Sequence, residues 1–388
     1  MAAAALLTLS CGSDPAAPAG GSGGTSGAPG TGGKDAGAVV DAPGSTAGGG
    51  APGTGTGGAV SAGGGSTGSD AAAGAANQGG GGGNPTGGAS GSGAGGTAID
   101  AAAGGANGAN DAAPTSCSVC TNWGQPELLG KVTAAGLAEL SGMAASWHNP
   151  GVLYVHNDRN RPVIYALDGS AGLLTRLTLG GAVASDIEDI EVSRCPGGTC
   201  IFAADIGNNI TAREEFSIFR VTEPDVALGA PSADRTLPAE RFAFRYADAP
   251  HNAESLIIDP GTGAVFIVTK VAAGQPSAAY KLDSFELGKV NVATKIADLP
   301  VPKAGDQPAT AGSAQPCGAG FLLRTGNTLY EFRIPAGTPF IDAFHATPVV
   351  VPAGVEPQSE AVTYQPDGRG YYTTSEGANP PVNRVRCQ

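Results

Sequence analysis

The sequence predicts an all-β domain that follows a long segment without a hydrophobic core. All 21 aromatic residues of the 388-residue chain lie after Ser116, whereas residues 1–116 hold 37 of the 64 glycines. Beyond residue 120, short β-rich runs recur between turn residues, without the 3.6-residue apolar period of a helix. A segment without aromatic residues buries too little apolar surface to offset its ordering entropy. We therefore expect residues 12–116 to form a disordered Gly/Ala/Ser/Pro linker and residues 117–388 to fold.

The first eleven residues predict export and lipid attachment. A short apolar run ends at Ser10 and Cys11, which is the order found in a lipoprotein signal peptide, and the linker at 12–116 follows as a tether. We expect Cys11 to carry lipid and to anchor the exported protein in the cell envelope, at the outer membrane or cell surface. The alternative is an Ala-rich start with an incidental cysteine. No run of 18 apolar residues follows, so the lipid anchor is the membrane contact that the sequence predicts.

One sequence pattern recurs five times after residue 120: an apolar strand, a Pro/Gly turn and a second apolar strand. Proline presets the φ angle of the turn and glycine supplies its left-handed position, so each occurrence predicts a hairpin. The spacings between successive turn prolines are 46, 64, 56 and 50 residues, for Pro150, Pro196, Pro260, Pro316 and Pro366. Repeats of this length with several short strands predict the blades of a β-propeller. We predict five four-stranded blades, with six as the alternative because the second spacing is long.

The strands of each predicted blade follow from these hairpins. The innermost strands are predicted at 140–146, 187–193, 253–259, 309–315 and 359–365. The fourth strands are predicted near 173–179, 241–246, 290–299 and 345–351. The last blade runs out of chain after its third strand, and the segment 127–133 at the start of the domain is predicted to complete it and close the ring.

The cysteines agree with export. Six remain after Cys11, and an even number in an exported domain predicts disulfide bonds, for Cys117, Cys120, Cys195, Cys200, Cys317 and Cys387. We expect Cys195 to pair with Cys200, and Cys387 to pair with Cys117 or Cys120, because a hairpin and the ring closure bring these close. A zinc or redox site at Cys117 and Cys120 is the less favoured alternative.

The charged residues are predicted to gather at one mouth of the propeller channel. The starts of the inner strands carry Asp186, Glu188, Asp189, Glu254 and Glu360. The ends of the second strands carry Asp158, Asp205, Lys270, Arg324 and Glu376. The cysteines map to the opposite face. The net charge of −13 argues against a nucleic-acid partner, which would require a basic surface.

Closely spaced carboxylates require a cation or protons, and this requirement suggests the chemistry of the mouth. Ca²⁺ takes oxygen ligands, and the candidates are Glu188, Asp189, Glu254 and Glu360. The candidate ligand-binding residues are Asp158, Asp205, Lys270, Arg324 and Glu376. For proton transfer the candidates are His156, Glu254 and Glu360. The alternative is that these charges only hydrate the rim of a narrow channel.

The acidic segments carry a family resemblance. Asp186–Val192, Asp205–Asn209, Asn252–Leu256, and Ser359–Ala361 before Thr373–Gly377 resemble motifs of exported bacterial β-propellers. That family consists of largely uncharacterised (lipo)proteins and is similar to the phytase-like esterase propellers. The resemblance implies an acidic mouth made by Glu188, Asp189, Asp205, Glu254, Glu360 and Glu376. Because a fold does not confer an activity, the phytase-like label is an analogy.

Two functions are compatible with these observations. The first is a surface-tethered, monomeric lipoprotein that binds a small molecule, a sugar or a protein of the envelope at its acidic mouth. The second is a Ca²⁺-assisted phosphoesterase or esterase at the same mouth. We favour the binding function, because the sequence contains no nucleophile-elbow or P-loop motif.

Overall fold

The computed structural model describes residues 117–158, 161–209 and 212–388. Within these ranges the chain is all-β, as predicted, with 21 strands. Its helical segment in the described ranges is a 3-10 helix at Phe340–His345, and no helix there is long and apolar enough to cross a lipid bilayer. The predicted linker at 12–116 and the predicted lipidation site Cys11 lie outside the described residues.

The strands form five antiparallel meanders, numbered here in chain order. Meander 1 consists of β2 (Leu140–Ala145), β3 (Leu153–Asn157), β4 (Val163–Leu167) and β5 (Leu173–Gly180). Meander 2 consists of β6 (Ile187–Cys195), β7 (Gly198–Asp205), β8 (Phe216–Thr222) and β10 (Glu240–Tyr246). Meander 3 consists of β11 (Ala253–Ile258), β12 (Val265–Thr269), β13 (Ala278–Leu282) and β14 (Val290–Asp298).

The last two meanders complete the set. Meander 4 consists of β15 (Ala309–Ala314), β16 (Gly320–Thr325), β17 (Leu329–Arg333) and β18 (Val349–Val350). Meander 5 consists of β19 (Ser359–Tyr364), β20 (Gly370–Ser375), β21 (Pro381–Arg386) and β1 (Glu127–Lys131). The N-terminal strand β1 pairs antiparallel with β21, so the beginning and the end of the described chain share one sheet.

The first strands of the five meanders contact one another in a cycle. β2 contacts β6, β6 contacts β11, β11 contacts β15, β15 contacts β19, and β19 contacts β2. Apolar side chains fill the spaces between neighbouring meanders in five clusters, which include Leu177, Phe244, Phe321, Val155 and Tyr371. The core is therefore divided into layers between meanders.

The first strands begin at the predicted residues, but the outer strands differ in places. β9 (Arg235–Pro238) was not predicted; it pairs parallel with β5. β10 and β14 also pair in parallel, which joins meanders 2 and 3 into one eight-stranded sheet. The strand predicted near 345–351 is wrong over most of its length, because the 3-10 helix occupies residues up to His345 and β18 has only two residues. Pro348 precedes β18 and has no N–H to donate to a longer ladder.

The three disulfide bonds lie at the end of the meanders where the first strand turns into the second. Cys195 pairs with Cys200 across the β6–β7 turn, as predicted. Cys120 pairs with Cys387, which is one of the two predicted alternatives, and Cys117 pairs with Cys317. The last two bonds tie the segment before β1 to meanders 4 and 5.

Candidate functional site

A β-bulge occurs near the start of every first strand. In each case the register against the second strand skips one residue, at Ser141, Glu188, Glu254, Thr310 and Glu360. A bulge bends the strand and re-aims a side chain, and bulges are frequent beside functional sites. These five residues are structurally equivalent, and three of them are carboxylates. We call this end of the meanders the mouth.

Three carboxylates lie together at the mouth and form what we call the carboxylate trio. Asp158, Asp186 and Glu188 each present an oxygen, and these oxygens lie within 4.8 Å of one another. The β6–β7 register brings Asp186 and Glu188 beside the end of β7, and Asp158 follows directly after β3. Glu188 is only 2% exposed. Its Oε1 and the Oδ1 of Asp158 are buried and have no hydrogen-bond partner among the described residues.

The absence of a side chain at Gly207 makes room for two members of the trio. A Cβ at this position would lie 2.2 Å from Asp186 Oδ2 and 2.2 Å from Glu188 Oε1. Both oxygens therefore point to the same small volume. The Gly207 N–H donates to the carbonyl oxygen of Asp186, which fixes the loop after β7 against the start of β6.

The electrostatics of the trio disfavour three free carboxylates. Burial, followed by the charges of Glu254 and Asp158, raises the pKa of Glu188 to about 11. Burial and the neighbouring Asp158 raise the pKa of Asp186 to about 6. Like charges in a poorly solvated space resist joint ionisation unless protons or a cation compensate them.

A second group of charges lies at the mouth outside the trio, and the charge of Glu254 acts on the trio member Glu188. Lys270 Nζ is 2.5 Å from Glu254 Oε1, and Gln358 Nε2 donates to Glu360 Oε1 at 3.2 Å and also to Glu376. Burial raises the pKa of Glu254 to about 7, although Lys270 opposes the shift. Burial and the charge of Glu254 raise the pKa of Glu360 to about 8. The structure thus places Lys270, Glu254, Glu360 and Glu376 together at the mouth, outside the carboxylate trio.

Asp205 and Arg213 contact the backbone around the trio residue Asp186 and do not belong to the trio. Asp205 Oδ1 accepts from the backbone N–H groups of Ser185 and Asp186, at 3.1 and 2.7 Å, and lies 2.9 Å from Arg213 Nη1. Arg213 also donates to the carbonyl oxygen of Gly207 through Nη2 at 2.7 Å. These contacts fix Asp186 and Gly207 in place and occupy Asp205, which the sequence had suggested as a ligand-binding residue.

Asp189 lies in the interior instead of at the mouth. It is 0% exposed, and its carboxylate accepts three backbone N–H bonds, from Ile190, Leu256 and Gly312, at 2.9, 2.8 and 3.0 Å. Burial raises the pKa of Asp189 and the three amide donors counteract that shift. The side chain predicted as a metal ligand thereby connects β6 to the first strands of meanders 3 and 4.

Arg324 and His156 are also buried. Arg324 Nη2 lies 2.8 Å from Glu356 Oε2, and both side chains are at most 2% exposed. The ring of His156 packs over Gly142, its Nδ1 lies 2.8 Å from the carbonyl oxygen of Asn157, and burial lowers its pKa to about 4. The histidine is therefore neutral near neutral pH and enclosed.

Sequence reasoning missed Gly207, Arg213 and Glu356. Gly207 lies in the segment Asp205–Asn209 that carries the family resemblance, so its place in that acidic motif was a usable signal. Arg213 and Glu356 lie in connections outside the predicted strands, and no pattern pointed to them.

Buried oxygen donors that lack partners are the donor set that a hard cation such as Ca²⁺ takes. The trio supplies such donors, and the Gly207 gap supplies space beside them. No protein-family model matches the chain, and no curated protein is significantly similar to it in sequence.

Proposed function

We propose that this protein is an exported, lipid-anchored five-bladed β-propeller that captures a ligand at a Ca²⁺-dependent mouth. The five meanders, the cyclic contacts of their first strands and the five apolar layers between them support the propeller. In this arrangement each meander is one blade, and β1 completes the fifth blade beside β21. The observation that carries the function is the carboxylate trio, in which buried oxygens of Asp158 and Glu188 have no hydrogen-bond partner among the described residues.

The cation site we propose differs from the set suggested by sequence. Asp158, Asp186 and Glu188 hold Ca²⁺, with water and backbone carbonyls completing the six to eight oxygen ligands that this ion takes. Glu254 and Glu360 lie at the mouth outside the trio, where Lys270 partly balances their charge. They contribute to ligand capture, and Asp189 supports the fold.

We favour binding over hydrolysis because the sequence contains no nucleophile-elbow or P-loop motif. A hydrolase requires a group that exchanges protons with substrate. His156, the best histidine candidate, is buried against Gly142, so Glu254 and Glu360, with their raised pKa values, are the groups that a hydrolase would use at this mouth. The alternative is a Ca²⁺-assisted phosphoesterase or esterase in which Lys270 binds the substrate anion. Generic phosphate and carboxylate esters, offered to the full chain with Ca²⁺ and with chelator, separate the two functions. We expect no turnover in either condition, and Ca²⁺-dependent turnover would favour the alternative.

Export is supported by the three disulfide bonds, because such bonds persist in oxidising compartments. The lipid anchor rests on Cys11 alone. In a bacterial expression host, we expect Cys11→Ser to move the protein from the membrane fraction to the soluble fraction. Continued membrane association of that variant would contradict the anchor.

Thermal unfolding tests the cation site. A ligand at one hundred times its Kd stabilises the folded state by about 2.7 kcal/mol, so we expect Ca²⁺ to raise the Tm of the chelator-treated full chain. Glu188→Gln removes a trio carboxylate and should abolish the rise. Glu360→Gln, a mouth carboxylate outside the trio, is the matched control and should retain it. An equal response of both variants, or no response of the unmodified chain, would contradict the proposal.

A further inference from the structure

A cleft of about 580 Å³ lies beside the mouth and shares Asp158 with the carboxylate trio. The charged and aromatic side chains that line it are those of Glu139, Asp158, Arg161, Tyr165, Arg176 and Asp234. We call it the side cleft. A volume of this size accommodates a ligand of one or two sugar rings. A molecule bound there would lie next to the proposed cation, because Asp158 belongs to both sites.

Two guanidinium groups face the side cleft, and neither is held by a strong partner. Arg161 is exposed, and its side chain makes no ion pair with any residue in the described ranges. Arg176 Nη1 lies 3.5 Å from Asp234 Oδ2, and these side chains are 39% and 59% exposed. Exposed ion pairs of this kind contribute little and open at small cost. Both arginines are therefore available to an anionic ligand.

The remaining groups of the side cleft suit a ligand that also carries hydroxyl groups. The carboxylates of Asp158 and Asp234 accept hydrogen bonds, and a sugar hydroxyl donates them. Tyr165 lies directly opposite Arg176 on the β4–β5 pair, and the Arg176 guanidinium carbon is 5.8 Å from its ring centroid. This contact holds Arg176 at the wall of the side cleft.

The balance of charges selects the kind of anion. Among the described residues, Asp158 and Asp234 offset the two guanidinium groups of the side cleft, and two further trio carboxylates lie beside Asp158, so a dianionic phosphate meets more repulsion than a singly charged carboxylate. The planar fork of arginine binds carboxylate and phosphate alike in a bidentate arrangement, so charge is what favours the carboxylate.

We infer that the side cleft binds a carboxylated sugar unit, with its carboxylate between Arg161 and Arg176 and its hydroxyl groups toward Asp158 and the cation. This inference rests on the proposed cation-dependent mouth for its cation contact, whereas the contacts to the two arginines are independent of the cation.

Calorimetry with the full chain tests the inference. The probes are digalacturonate, its neutral counterpart digalactose, and galactose 6-phosphate, each titrated with Ca²⁺ and with excess chelator. We expect digalacturonate to bind most tightly in Ca²⁺. Arg161→Gln combined with Arg176→Gln should weaken that binding about tenfold or more, because two charge-assisted hydrogen bonds are lost. Arg241→Gln combined with Arg245→Gln is the matched control. Both arginines lie on the outer strand β10 and pair with Glu215, so this double variant should leave binding unchanged.

The outcomes separate the two proposals. Ca²⁺ binding without digalacturonate binding, or digalacturonate binding that is insensitive to the Arg161 and Arg176 pair, would overturn the side cleft and leave the cation site intact. Tighter binding of galactose 6-phosphate would overturn the choice of carboxylate. Arginine-dependent digalacturonate binding that is equal in Ca²⁺ and in chelator would support the cleft and count against the cation-dependent mouth.

Discussion

Two neighbouring acidic residues on β6 show why burial alone does not identify a site. Asp189 and Glu188 are 0% and 2% exposed, so both side chains are shielded from solvent. The carboxylate of Asp189 accepts three backbone N–H bonds, whereas Glu188 Oε1 has no partner among the described residues. A buried charge requires compensation, and Asp189 receives it from the fold. Glu188 lacks that compensation, so it requires a proton or a cation.

The same contrast separates the interior of the ring from the mouth. A first strand has only its second strand as a ladder partner, so its other edge presents unpaired backbone groups. Side chains of other first strands satisfy these groups: Glu191 Oε1 accepts from Ala314 N–H at 2.9 Å, and Thr363 Oγ1 accepts from Ala145 N–H at 3.1 Å. In the interior, polar side chains replace a sheet ladder. At the mouth, the bulges point side chains away from the unpaired backbone groups.

The largest expected effect is on folding stability at Asp189. Asp189→Ala leaves three buried N–H groups without their acceptor, at about 1–3 kcal/mol each. We expect a loss of about 3–5 kcal/mol in the free energy of unfolding, measured by urea denaturation. Glu188→Gln is the matched control on the adjacent residue and should cost far less, because Glu188 supports no backbone group. Equal losses for the two variants would remove the distinction between interior and mouth.

A smaller effect is expected at Arg213, which positions the trio through Asp205 and Gly207. Arg213→Gln should weaken Ca²⁺ binding about 10-fold to 100-fold, as is common when an outer-shell partner of a metal ligand is removed. Arg220→Gln is the control, since Arg220 pairs with Glu240 away from the mouth. Unchanged Ca²⁺ affinity in Arg213→Gln, with the fold intact by circular dichroism, would show that this support is dispensable.

The smallest expected effect is on the pH dependence of stability. The pKa of Glu360 is raised to about 8, so the fold favours its protonated form. Its stabilising contribution is complete below the ordinary pKa of about 4.3 and is lost as the pH rises through about 8. In chelator, the unmodified chain should lose stability from about pH 5 to about pH 8, and Glu360→Gln should reduce that loss by about 1 kcal/mol. Identical pH profiles would contradict the raised pKa.

Much of the fold could be predicted from the sequence because each first hairpin carries a Pro/Gly turn between apolar strands. The starts of β2, β6, β11, β15 and β19 follow directly from those turns. The bulges could not be predicted, since they depend on pairing between strands and not on residue type. The outer strand β18 was overestimated because Val349, Val350 and Val351 form an apolar run, whereas the flanking Pro348 and Pro352 limit the ladder.

The sequence predicted the end of the strands at which the candidate site lies, but not the groups that each charged side chain contacts. Placing Glu188, Glu254 and Glu360 at one end required only strand order, and the structure brings these residues to equivalent bulges. Strand order also placed Asp189 and Arg324 at that end. Their actual partners are backbone amides of distant strands and the connecting-loop residue Glu356. Such partners depend on the packing of meanders against one another, which the local sequence does not contain.

The central claim is that the mouth holds a cation in the space beside Gly207. The most direct measurement is calorimetric titration of Ca²⁺ into the chelator-treated full chain and into Gly207→Ala, a variant that keeps every charge and adds one methyl group where Asp186 and Glu188 converge. We expect one Ca²⁺ per unmodified chain and loss of that binding in Gly207→Ala. Unchanged Ca²⁺ binding in the variant, or no binding by the unmodified chain, would contradict the claim.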